Sequence, residues 1–206
     1  GKDILDLSER QMRAIRGARI SMVMQDPKFS LNPVITVGDQ IAEALAVHER
    51  LPRRRIRQRV LDMLEAVQIR DPERVYGLYP HEVSGGMGQR IMIAMMLIPE
   101  PAILIADEPT SALDVSVQGE VLRIIDELIE RKGMGLIFIS HDLKLVSSFC
   151  DRILVMYRGE IVETCVAGEL DKATHPYTRG LIASVPRLDE TREELPVLDR
   201  SAWETA

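Results

Sequence analysis

The sequence predicts an α/β fold, a mainly parallel sheet with an α-helical subdomain inserted into it, and three observations carry that reading. Short apolar runs, RISMVMQ, AILIA and LIFIS, alternate with stretches of helical period. AILIA is apolar throughout and ends on two adjacent acids, Asp107 and Glu108, as expected of a central strand delivering polar groups to its C-terminal end. Between the first run and AILIA lies a block, residues 32–98, whose apolar residues recur at helical spacing.

Taken in order, SERQMRAIR (8–16) reads as a short helix capped by Ser8 and ended by Gly17. RISMVMQ alternates and reads as a strand, with Gln25 where it gives way to the polar loop DPKFSLNP. VGDQIAEALAVHE is the first helix of the inserted block. The second starts near Pro52 and carries Ile56, Val60, Leu64 and Val67 on one face. The arginines at 53, 54, 55, 57 and 59 fall largely off that stripe and read as a solvated face. DPERVYGLYPHEV reads as a loop leading to Ser84. From Gly85 to Ile98 the spacing of Ile91, Ala94, Met95 and Ile98 marks a helix that Pro99 and Pro101 stop, its methionines serving as core filler. After AILIA, a helix starts near Asp114 with Val117, Val121, Ile124, Ile125 and Leu128 on one side and Arg131, Lys132 and Gly133 at its end. LIFIS reads as another buried strand leading to His141, and RILVMY and EIVET flank Arg158-Gly159 as a hairpin. HPYTRGLIASVP reads as a small helical tail, and the last dozen residues look loose.

The chain has 206 residues, one domain with room for a subdomain, and 46% hydrophobic with 28% charged residues is enough for a core. A net charge of −6 gives no general attraction for nucleic acid or an anionic membrane. Cys150 and Cys165 form neither a disulfide framework nor a metal-binding spacing, which makes a reduced cytosolic setting the default. The longest apolar run, IMIAMMLI, is far short of a membrane span. The sequence opens on Gly1 rather than Met, which reads as a piece of a longer protein.

Four groups of residues suggest chemistry, each with a plainer alternative, and a fifth is a short turn. Phosphoryl transfer needs a metal to neutralise phosphates and a group to orient the attacking water, and adjacent acids such as Asp107 and Glu108 can divide those tasks. Equally, the two acids begin a polar loop before Pro109. Ser84-Gly85-Gly86 at a helix start offers free N–H groups and the positive end of a dipole to a phosphate. A plain N-cap explains Ser84 as well, but two first-turn glycines weaken a helix by roughly 1 kcal/mol each and favour close approach of a ligand. Gln25 at a strand end suits Mg²⁺ or water, or is an ordinary loop glutamine. His141 after a strand can hydrogen-bond a phosphate, or is a surface histidine beside Asp142. Ser111-Ala112-Leu113-Asp114 is a short polar turn.

The order of Gln25, Ser84-Gly85-Gly86-Met87, Asp107-Glu108, Ser111-Ala112-Leu113-Asp114 and His141 resembles the Q-loop, signature, Walker B, D-loop and H-switch of an ABC-type ATPase. QDPKFSLNP, IADEPTSALDVSVQ and HPYTRGLIASVPRLD further resemble the ATP-binding subunits of dipeptide, oligopeptide and nickel importers. The resemblance implies a partial P-loop NTPase core at 1–31 and 99–165, a helical subdomain at 32–98 and a C-terminal tail at 166–206. It implies ATP and Mg²⁺ as cofactors, with Asp107 and Gln25 on the metal, Glu108 polarising water and His141 steadying the γ-phosphate. Ser84, Gly85, Gly86, Met87, Gln89 and Asp114 would serve a nucleotide held mainly by the opposing subunit, with Gln25 coupling it to a membrane partner. The partners implied are a second ATPase subunit, identical or not, and transmembrane permease subunits, at the inner face of the cell membrane.

Two positions depart from the pattern, and one motif is absent. Val83 stands where leucine usually opens the signature, and Gly88 holds a position usually basic. No G-x-x-x-x-G-K-[ST] occurs, the only Gly-Lys pair being Gly1-Lys2 before Asp3, and the expectation is that these residues alone do not hydrolyse ATP. Two other functions fit less well. A DNA-repair ATPase needs a long coiled coil between the nucleotide motifs, and Gln25 to Ser84 holds no sustained heptads. A non-catalytic module would use its signature face to complete a partner's ATP site.

Overall fold

The computed structural model describes residues 3–24, 30–111 and 113–185. Two compact units divide the chain, Gly1–Ile139 and Ser140–Ala206. Gln25 and the first half of DPKFSLNP, residues 26–29, lie outside the described residues, as does the closing stretch read as loose.

In the first unit, a five-residue helix (α1, Glu9–Arg13) is opened by Ser8, whose N–H donates to Gln11 Oε1 at 2.9 Å. It ends before the Gly17 expected to stop it. The strands Ile20–Val23 (β1), Ile103–Asp107 (β2) and Gly135–Ile139 (β3) form one parallel sheet in the order β1-β2-β3. The apolar run ending in acids is therefore the central strand, as its composition predicts. Alternation sorts the sheet into two faces. Val23, Leu104 and Ala106 share one face and are fully buried. Met22 and Ile137, register partners of Ile105, share the other and are 39% and 51% exposed. The expectation that LIFIS is a buried strand is thus corrected. Among the described residues β3 pairs with β2 alone, and Ile137 and Ile139 project from the open face.

Between β1 and β2 the chain builds the helical block. Val37–Ala46 (α2) is capped by Thr36, whose hydroxyl accepts from Asp39 N–H at 3.3 Å, and it buries Val37, Ile41 and Leu45 one turn apart. Arg53–Ala66 (α3) buries Val60 and Leu64, followed by Val67. Its arginines at 53, 54, 55 and 57 are exposed, and Arg59 reaches Glu49 and the Ile98 carbonyl. The stretch read as a loop contains a further helix, Pro72–Tyr76 (α4), because Asp71 caps the Arg74 N–H and Pro72 supplies a first-turn φ. Tyr76 fixes α4 against α2: a Cβ on Gly38 would lie 2.2 Å from the Tyr76 ring. Gly85–Leu97 (α5) runs through the middle of the block with Ile91, Met92, Ile93 and Ala94 fully buried. It packs on α2, α3 and β1.

Val115–Lys132 (α6) follows β2 and buries Val121, Ile124, Ile125 and Leu128. Gly133 at φ 62° closes it in the left-handed conformation that glycine adopts without strain.

The second unit holds Leu143–Phe149 (α7), the antiparallel hairpin Arg152–Tyr157 (β4) and Glu160–Val166 (β5), and Pro176–Ser184 (α8). The Glu163 carboxylate accepts from Thr174 N–H at 2.6 Å and His175 N–H at 3.3 Å, tying the His-Pro-Tyr segment to the hairpin.

Candidate functional site

Asp107 is the last residue of β2, and its register partner is Ile139, so its Cβ belongs to the open face of the sheet. Glu108 then leaves the strand with φ 44°, a conformation unfavourable to any residue with a Cβ. Three hydrogen bonds hold it there: its N–H donates to Ile139 O at 2.9 Å, and its carbonyl accepts from Ser111 N–H at 3.2 Å and from Ser111 Oγ at 3.1 Å. The adjacent acids therefore depart from the sheet with different backbone conformations, each half-buried. Pro109 and Thr110 are buried, and Leu113 N–H donates to Thr110 O at 3.1 Å, closing the turn that leads into α6.

Asp114 is the N-cap of α6. Its Oδ1 accepts from Ser116 Oγ at 2.6 Å and Val117 N–H at 3.0 Å, and these bonds, the hydroxyl's first, hold its carboxyl below the usual carboxylate range. Ser84 caps α5 in the same manner: its hydroxyl accepts from Met87 N–H at 3.3 Å. The plain-cap account of Ser84 is therefore real. The turn is also open, with Ser84 and Gly85 exposed and no atom within 4 Å of a Cβ added to Gly85. Gly86 differs, since a Cβ there would stand 3.0 Å from Val117 Cγ1 on α6. One glycine faces solvent and the other permits helix-to-helix approach. Met87 is half-buried.

Gln89 departs from the expectation that it contacts a nucleotide. It is 1% exposed, and its side-chain amide donates to the Pro109 carbonyl, inside the protein and directly after Glu108. The reason is helical geometry: five positions after Ser84, its side chain points into the seam between α5 and the β2–α6 turn. Arg90, which sequence reading passed over, donates to Gln68 O at 3.2 Å and pairs with Glu120 on α6. Gln68 has φ 61°, and nothing in its local sequence announces the corner that Arg90 braces. An open polar cleft of about 560 Å³ lies beside it, lined by Gln68, Arg70, Arg90, Glu120 and Arg123 among others, and holds none of the expected site residues.

His141 belongs to the second unit, where it is exposed and followed by Asp142, which caps α7 through Lys144 and Leu145 N–H groups. Gln25 lies outside the described residues. Among the described residues no group of three or more His, Cys, Asp or Glu could hold a metal ion. One carboxylate at a strand end still suits Mg²⁺, which binds through one or two carboxylates and completes its shell with water and phosphate oxygens.

A protein-family model described as ABC transporter matches residues 1–111. The chain is 54% identical over 187 residues to a probable peptide ABC transporter ATP-binding protein, y4tR, of Sinorhizobium fredii, covering 90% of this chain and 56% of that protein. It is 49% identical over 199 residues to the dipeptide transport ATP-binding protein DppD of Bacillus subtilis, covering 96% of this chain and 59% of the relative. The chain thus spans a little over half the length of these curated relatives. Its fold resembles the dimeric structure of the ATP-binding cassette MJ0796 bound to ADP and Pi, with a TM-score of 0.69 and 29% identity over 79% of this chain and 68% of that one.

Proposed function

The chain belongs to the ABC transporter family, and on that premise we propose that it is part of the ATP-hydrolysing subunit of an importer for peptides or nickel. Two such subunits close around ATP, and hydrolysis resets the transmembrane permease subunits they serve. The observation that carries this reading is the acid pair, Asp107 and Glu108, at the C-terminal end of a central parallel strand, in a chain similar to a peptide transporter's ATP-binding protein. Support comes also from the open turn at Ser84 and Gly85, accessible to a ligand brought by a second subunit.

In this reading Asp107, with Gln25, holds Mg²⁺, which neutralises phosphate charge when bound. Glu108 orients the attacking water and accepts its proton, and His141 donates a hydrogen bond to the terminal phosphate. Ser84, Gly85, Gly86 and Met87 present hydroxyl and N–H groups, with the positive end of the α5 dipole, to the nucleotide on the opposing subunit. Asp114 fixes the start of α6 across the same interface. The three-part division also belongs to the proposal: an ATPase core at 1–31 and 99–165, a helical subdomain at 32–98 and a tail at 166–206. No helix among the described residues is long and apolar enough to cross a membrane. The reading places the subunit at the inner face of the cell membrane through its permease partners.

The test is Glu108→Gln in the whole protein assembled with its permease. Hydrolysis should fall by about 10²–10⁴-fold while ATP binding is kept. An unchanged rate would overturn the role given to Glu108. The 206 residues alone, which hold no G-x-x-x-x-G-K-[ST], should hydrolyse no ATP.

A further inference from the structure

We propose that Gln89 is a positioning residue: its side-chain amide fixes the Glu108–Pro109 turn, so that the glycine turn at Ser84 and the acid pair are held as one piece. The inference rests on the functional reading of Glu108 above.

A glutamine that is 1% exposed must have its amide paired, and the partner found is the Pro109 carbonyl. That carbonyl belongs to the Pro109–Thr110 peptide, one beyond the bond that joins Glu108 to Pro109, and the Glu108 φ of 44° persists only where the surroundings over-determine it. The Glu108 N–H is held by Ile139 on β3, and its carbonyl by Ser111 within the turn. The hold from the glycine-turn helix comes from Gln89, one residue further on. Two contacts flank it in sequence, Gly86 against Val117 and Arg90 with Glu120, both joining α5 to α6. An apolar side chain of equal length would fill the same space. Only a donor orients the carbonyl. A displacement of Ser84 by a ligand is therefore transmitted along one and a half turns of α5 to the carbonyl of Pro109, the residue that follows Glu108.

Two variants test this in the 206-residue chain by hydrogen exchange. Gln89→Met keeps the volume and removes the donor. Protection of the Ser111 and Leu113 amides, which close the turn, should fall by roughly tenfold while Ile41 and Leu64 amides keep theirs. Gln89→Glu makes the hold pH-dependent: a protonated carboxyl donates O–H to the Pro109 carbonyl, and a carboxylate repels it. Protection at Ser111 and Leu113 should return as pH falls and be lost as it rises. In the whole protein with its partners, Gln89→Met should lower kcat about tenfold with KM for ATP unmoved, and Gln89→Glu should regain rate toward acid pH. Unchanged protection at Ser111 and Leu113 in both variants overturns the proposal. If Gln89→Met raises exchange everywhere, Gln89→Glu decides, and no pH dependence at Ser111 again overturns it. Altered exchange as expected, with hydrolysis intact in Glu108→Gln, overturns the catalytic reading of Glu108 and leaves the hold itself standing.

Discussion

The helical block and the parallel sheet, both in the first unit, bury their apolar residues to different degrees. In the block, Ile41, Leu45, Leu64, Ile91, Met92 and Ile93 are all fully buried, contributed by helices that follow one another in the chain. In the sheet, Val23, Leu104 and Ala106 are fully buried on one face, whereas Met22, Ile137 and Ile139 on the other are 39%, 51% and 45% exposed. The block encloses a core of its own, and α5 also packs on β1. The sheet is a two-faced layer whose stability comes from one side, and the acid pair leaves it at the end of its middle strand. Side chains on the open face therefore contribute through strand pairing and not through packing, which is why the same residue type carries different weight in the two regions.

The sharpest break of that contrast is in the block. Leu64→Ala should lower the unfolding free energy by about 2–5 kcal/mol, since Leu64 is fully buried on α3, which packs on α2, α4 and α5. Chemical denaturation measures it, and a cost under about 1 kcal/mol would show that the block is loosely packed.

A smaller effect lies at the seam between the regions. Glu100, just after α5, pairs with Lys132 at the end of α6, and the Lys132 hydrogen bond, opposed by partial burial and reinforced by the charges of Lys132, Arg59 and Arg131, lowers its pKa from 4.5. Because the folded value lies below the unfolded one, the pair stabilises the fold above about pH 4.5 and loses that contribution as pH falls through the depressed value. Glu100 is half exposed, so Lys132→Met should cost only about 0.2–1 kcal/mol at neutral pH and flatten the acid limb of the stability profile below 4.5. An acid limb identical to that of the parent would remove the pair from the seam's account.

The smallest effect belongs to the open face. Ile137→Thr should change stability by no more than about 0.5 kcal/mol and reduce self-association measured by light scattering. A loss as large as that of Leu64→Ala would mean that the two regions are packed alike.

The helices that carry the block were legible because burial there follows a period. Val60 and Leu64 on α3, Val67 just after it, and Ile91, Ala94 and Ile98 on and after α5 are buried where the spacing picked them out, whereas Ile56 and Met95 of the same stripes are half-buried. Helix α4 was missed because five residues are too few to show a period, and what forms it is the Asp71 cap with Pro72 after it. The exposure of β3 was missed for a different reason. LIFIS reads as a buried strand from its residues alone, and a continuous apolar run does not say which of its faces finds a partner. At the site, the acids at the end of β2 and the caps Ser84 and Asp114 stood where their residue types put them. Gln89 did not, since its spacing from Ser84 could not reveal that the carbonyl of Pro109 waits opposite it.

The sequence by itself determined the helices with a clear period, their caps, the central place of the strand that ends in two acids, and the family. These depend on contacts within a few residues or on composition that any strand in that position needs. Tertiary structure alone decided which sheet face stays open, that Tyr76 closes on Gly38, and that the Gln89 amide reaches the Pro109 carbonyl. Each of those joins segments far apart in the chain, and a distance across the fold is set by how whole elements pack, which no local pattern of residues encodes.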